Sequence, residues 1–140
     1  MALELQRDEL MTYLDGVFPQ IKNDFAIDLL EEEHLVMRLL VAERHLRPGG
    51  TVSGPSMFAL ADVAVYAMVL ARLGRRALAV TTSASLDFMR KPVAGCDLLA
   101  ECRLLKLGRV LVVGDVLIRS DGSDKPVARA SMTYSVPPQG

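Results

Sequence analysis

The chain has 140 residues, a length that suits one folded core without a linker, and its 16 Lys and Arg against 17 Asp and Glu leave no basic patch of the kind a nucleic-acid binder needs. Hydrophobic residues make up 51% of it without any Trp, which is high for a small monomer with a wet surface and predicts that a second copy covers part of that surface. The opening MALELQRDELM carries acids where a signal peptide carries bases, and the longest apolar run, Val63 to Ala71, falls short of the roughly 20 residues of a membrane span. The expectation is a soluble, cytoplasmic protein with no membrane partner.

Leu3, Leu10, Met11, Leu14 and Phe18 recur at helical spacing up to Pro19 and predict a first amphipathic helix within residues 1–20. Phe25, Ile27 and Leu29 alternate with polar neighbours, the Glu31-Glu32-Glu33 run marks a turn, and Leu35 to Val41 is a second apolar run, which reads as two antiparallel strands. A long apolar helix follows and closes at Gly74, with Arg72, Arg75 and Arg76 at the negative end of its dipole. Four strands complete the chain: Ala77 to Met89, Leu98 to Leu107, Val110 to Arg119 and Val127 to Val136. The last puts Ala128, Ala130, Met132, Tyr134 and Val136 on one face, the pattern of a sheet with one wet side. Without β-α-β alternation a parallel doubly wound sheet is disfavoured; an α+β architecture is expected, one antiparallel sheet wrapped around one long central helix.

The stretch GGTVSGPSMFALADVAVYAMVLARLG places a single full charge within the body of the long helix, Asp62. A helix apolar all round is buried, and a buried carboxylate without partners costs several kcal/mol or takes up a proton. Two readings are open: a structural Asp satisfied by a Thr or a backbone group, or a general base or nucleophile set by its apolar surroundings. Ahead of it, Gly49, Gly50 and Gly54 allow close backbone approach and Pro55 suits a first helical turn. This helix start is either a plain cap or a site where the N–H groups of Gly54 and Ser56 stabilise an oxyanion.

GGTVSGPSMFALADVA, TTSASLDFMRKPVAGCDLLAECRLLKLGRVLVVGDVLIR and KPVARASMTYSV together resemble the hotdog-fold acyl-CoA thioesterases of the PaaI-like branch, over residues 25–136. The resemblance implies a hotdog domain in which an antiparallel sheet encloses the helix, with active sites between two subunits. It implies hydrolysis of a thioester to a free acid and CoA: Asp62 is the catalytic acid, Gly54 the oxyanion donor, Gly50 the loop glycine, and Thr81 the hydroxyl that holds the nucleophile or water. Ser53 stands where the family usually has His, and Arg47 where it has Asn. No metal or redox cofactor is implied, and CoA enters only as part of the substrate.

Met57, Phe58, Tyr66 and Met89 are candidates to hold the acyl chain, or plain core; Arg90, Lys91 and Arg109 are candidates for CoA phosphates, or solvated cations, and Arg47 could serve a CoA phosphate as easily as a carbonyl. His34 after the acidic turn and His45 at a strand end read as surface or satisfied residues, which weakens a hydratase or dehydratase as a rival. A catalytically silent acyl-CoA-binding module is the rival from another class. Cys96 and Cys102 are too far apart along one strand to bond, and no Cys and His spacing suits a metal. A homodimer or a dimer of dimers is the expected assembly.

Overall fold

A computed structural model describes residues 3–138 of the chain. The first helix, α1 (Arg7–Val17), buries Leu10 and Leu14 and opens on a capping box between Gln6 and Glu9. The spacing predicts a start at Leu3, but the chain bends ahead of the helix: the N–H groups of Glu4 and Leu5 both donate to the Ala71 carbonyl, at 2.7 and 3.2 Å. α1 is thereby moored beside the end of the long helix α2 (Gly54–Leu73).

Six strands follow in the order of the chain: β1 (Phe25–Leu30), β2 (His34–Leu39), β3 (Val80–Phe88), β4 (Leu98–Leu107), β5 (Leu111–Ser120) and β6 (Pro126–Ser135). They form one antiparallel sheet in the order β1-β2-β4-β5-β6-β3. The α+β expectation therefore holds, with shifts at several element ends; β2, for instance, ends at Leu39 rather than Val41. β3 begins at Val80 rather than Ala77 because Ala79 N–H turns back to the Arg76 carbonyl. Cys96 precedes β4 instead of sharing a strand with Cys102, whose thiol burial pushes up to about 12, with Asp115 adding to the effect.

The core is α2 laid across the inner face of the sheet. From Leu60 to Arg72 every residue of α2 is buried except Asp62. By length and composition this helix could cross a membrane, with a mean hydropathy of 1.6, but 72% of that stretch is buried inside the fold. Leu35, Met37 and Leu39 from β2, Leu98 and Ala100 from β4, and Ala128, Ala130 and Met132 from β6 meet it, each 3% exposed or less. The alternation read from the last strand is the alternation observed.

α2 and β5 approach closely at Gly114, where a Cβ would stand 3.0 Å from Val65 Cγ2 and 3.5 Å from Cys102 Sγ. Gly114→Val should therefore overpack the helix against the sheet and lower stability by about 1–3 kcal/mol, read from urea unfolding. Val65→Ala in the same chain should recover part of that loss. Simple additivity of the two substitutions would show that the contact is not the cause.

Candidate active site

Asp62 lies on the first half of α2, on the side of the helix that faces the end of β3 and β6. Thr81 and Tyr134 are cross-strand partners on those strands and both point inward. Thr81 Oγ1 donates to Asp62 Oδ1 at 2.6 Å, and Tyr134 Oη donates to the same oxygen at 2.7 Å and to the Asp62 carbonyl at 3.1 Å. A bulge between Thr81 and Ser83 shifts the register just after the first of these residues. Burial pushes the Tyr134 phenol well above its ordinary range, with the Asp62 charge adding to it, so the hydroxyl stays protonated and keeps donating.

Two donors on one oxygen leave the other carboxylate oxygen without a protein donor among the described residues. Asp62 is half-buried and opens on a cavity of about 290 Å³, walled by Val17, Phe18, Val63, Tyr66, Ala77, Ala79, Val80, Thr81 and Tyr134. Tyr66 stacks on Tyr134 with ring centroids 5.8 Å apart, and its hydroxyl donates to the Ala77 carbonyl at 2.7 Å. The arrangement is a carboxylate with one oxygen held and one available at the edge of an apolar hole. It can accept a proton or attack an electrophilic carbon.

The start of α2 is a separate place. Gly49 and Gly50, with φ of +102° and +86°, turn a tight loop closed by Arg47 N–H to the Thr51 carbonyl at 2.9 Å and Gly50 N–H to the Arg47 carbonyl at 3.0 Å. His45, placed by the sequence at a strand end, lies buried in a one-turn 3-10 helix, Glu43–His45; its carbonyl accepts Ser53 N–H at 2.9 Å and holds the loop in place. Ser53 is the N-cap: its Oγ accepts Ser56 N–H at 3.2 Å and donates to Ser56 Oγ at 3.0 Å. Of the two candidate oxyanion donors, Ser56 is thus engaged, and Gly54 N–H has no acceptor among the described residues. The Phe88 ring lies where a side chain at Gly54 would begin, 3.5 Å from that point.

A groove of about 440 Å³ runs past this helix end between Arg47, Thr51, Gly54, Met57, Phe88, Met89, Arg90, Lys91 and Pro92. It brings Arg47, Met57, Met89, Arg90 and Lys91 to Gly54, whereas Tyr66 and Thr81 go with Asp62. Arg90 also donates to the Pro126 carbonyl at 2.6 Å. Met57 is buried, Phe58 is exposed on the outer side of α2, and Arg109 stands exposed in the β4–β5 turn, lining neither cavity. Among the described residues no group of His, Cys, Asp and Glu gathers to hold a metal ion. Sequence reasoning passed over Tyr134, Val17 and Phe18. For Tyr134 there was a signal: it is the one residue on the inward face of the last strand whose polar tip must find a partner when buried.

A long helix enclosed by a six-stranded antiparallel sheet is the hotdog fold. The chain belongs to the thioesterase superfamily, whose family model matches residues 49–127. It is similar to a protein of Silicibacter sp. TM1040 that is provisionally named a thioesterase, at 67% identity with 99% of this chain and 96% of that one covered and a TM-score of 0.93. It is also similar to a mutant of the phenylacetic acid degradation protein PaaI from Thermus thermophilus, at 27% identity, 85% and 99% coverage and a TM-score of 0.71. A Streptococcus mutans UA159 protein solved with acetyl CoA bound shares the fold, at 24% identity, 84% and 92% coverage and a TM-score of 0.72.

The shared oxygen makes a thermodynamic prediction. A hydrogen bond to a charged group contributes about 1.5–3 kcal/mol, so Tyr134→Phe should destabilise the protein by that order when Asp62 is present and by much less in an Asp62→Ala background. A double-mutant cycle from chemical denaturation measures the coupling, and a value near zero would mean that the contact does not hold the carboxylate.

Proposed function

We propose that the protein is an acyl-CoA thioesterase that works as a homodimer, with Asp62 as the reacting acid and Gly54 N–H as the oxyanion donor. The observation that carries the reading is the split carboxylate, one oxygen fixed by Thr81 and Tyr134 and the other facing the cavity without a donor. In the reaction that oxygen either takes a proton from a water as the water adds to the thioester carbonyl, or adds to the carbonyl itself to give an anhydride that water opens. In both cases the C–S bond breaks, the CoA thiolate leaves and takes up a proton, and a free acid remains. The cations Arg47, Arg90 and Lys91 beside Gly54 suit the phosphates of CoA.

Geometry favours two chains per site. From Gly54 to Asp62 along α2 is about 12 Å at 1.5 Å per residue, whereas an acid and an oxyanion donor must both come within roughly 3 Å of one carbonyl centre. Two antiparallel helices related by a two-fold axis bring the Gly54 end of one beside the Asp62 turn of the other. The edge strand supports this arrangement. β3 pairs only with β6, and its inward-facing Ala84 and Phe88 are exposed although their cross-strand partners Met132 and Ala128 are fully buried. Val80 at the start of β3 and Met89 just past its end are exposed as well, at 56 and 50%. A long, partly apolar free edge is what a second copy covers.

Asp62→Asn and Gly54→Pro, each verified as folded by circular dichroism, should each lose at least about a hundredfold in turnover of a hydrolysed acyl-CoA. Co-expressed, they should form mixed dimers with one site doubly defective and one intact, and recover up to half the wild-type activity per dimer. Mixed dimers that stay inactive would rule out the shared site. An acyl-CoA panel followed by free-thiol release and, in parallel, by calorimetric binding tests the activity itself: binding without release would leave a silent binding module.

A further inference from the structure

Part of the wall of the cavity beside Asp62 is built by the N-terminal segment. α1 finishes at Val17; Phe18 follows with its N–H on the Leu14 carbonyl at 2.8 Å, and Pro19 prevents the helix from continuing. Both Val17 and Phe18 line the cavity. Phe18 meets Tyr66 edge to face, with centroids 6.3 Å apart and planes at 78°, and Tyr66 is fixed on its other side by its stack on Tyr134 and its bond to the Ala77 carbonyl. The cavity is therefore polar where Asp62, Thr81 and Tyr134 meet, and walled on one side by the Phe18 and Tyr66 rings. The family match begins at residue 49, so Val17 and Phe18 come from a part of the chain that it does not cover.

We infer that Phe18, braced by Tyr66, is the specificity-determining residue that limits the length of the acyl group. This rests on the thioesterase reading of the same site. A volume of about 290 Å³, at roughly 30 Å³ for each water-sized group, holds on the order of ten heavy atoms. The substrate class is thus an acyl group of short to medium length, up to about ten heavy atoms, with its carbonyl at Asp62 and its far end against the Phe18 ring.

The test uses the full chain and two readouts: kcat/KM for saturated acyl-CoAs from acetyl to palmitoyl, and calorimetric affinity for the non-hydrolysable thioethers S-butyl-, S-octyl-, S-dodecyl- and S-hexadecyl-CoA. Wild-type protein should favour octyl over dodecyl by about tenfold in both, since the added methylenes find no apolar space to enter. Phe18→Ala should remove that preference or reverse it. Val17→Phe, at a half-open wall position that tolerates a larger side chain, should shift the limit the other way, towards butyl. Opposite shifts from two wall variants are not what a general loss of packing gives. Phe18→Leu supplies an intermediate opening should the alanine variant fail to fold. If the wild type hydrolyses no thioester but the thioether limit exists and moves with these variants, the thioesterase reading fails and the length limit stands. If the limit is absent, or stays in place in folded Phe18 and Val17 variants, the inference is overturned.

Discussion

A carboxylate on a helix that is otherwise buried sets the terms for the rest of this molecule. α2 must be enclosed to hide its apolar surface, and Asp62 must still find donors and an opening. The sheet satisfies both conditions by ending where Asp62 begins. β3 returns to pair with β6 after the whole length of α2, so Thr81 and Tyr134 arrive as neighbours and meet one oxygen of the acid. Hydroxyls are suited to this, because they satisfy the charge without a cation that would quench its reactivity.

On the proposed reading, the same placement of β3 ties chemistry to assembly. Within one chain the strand that carries Thr81 has no cover over its inward-facing Ala84 and Phe88 and no partner on its outer edge. A fold that wanted only to bury α2 would have no reason to leave that flank open. Here the open flank runs from Asp62 to the Gly54 groove, along the direction a substrate spanning acyl group and nucleotide would take. On that reading a second copy on this flank would close the sheet edge and complete the site together.

Periodicity located both α-helices and the six strands among the described residues, though not the short 3-10 turns, because the apolar spacing of an enclosed helix and of half-wet strands differs sharply. It misjudged residues 3–6 and 77–79, where backbone groups bond across the fold and local spacing carries no trace of it. Asp62 stood out as a charge in the wrong place, and the resemblance to known thioesterases supplied Gly54 and Thr81. Tyr134 was visible as an inward-facing residue, but its partner lies 72 positions away, and only the register of β3 on β6 brings the two together. Phe18 was legible merely as the last apolar residue of a helix. That it turns into the cavity depends on how α1 docks along α2, a tertiary fact that no helical pattern encodes.

Ser53 shows why a departure from a family pattern has to be judged on geometry. In place of an imidazole the chain has a hydroxyl that caps α2 through Ser56 and takes no position towards the cavity of Asp62. The exchange does not consume the Gly54 N–H, which remains the first donor of the helix without an acceptor. What an imidazole would add in orienting a substrate, this helix end must supply by other means: a rigid cap, a glycine loop pinned by His45, and Phe88 packed directly on Gly54. On the proposed reading, the acid and the backbone donor that charge development on a thioester carbonyl requires are both kept.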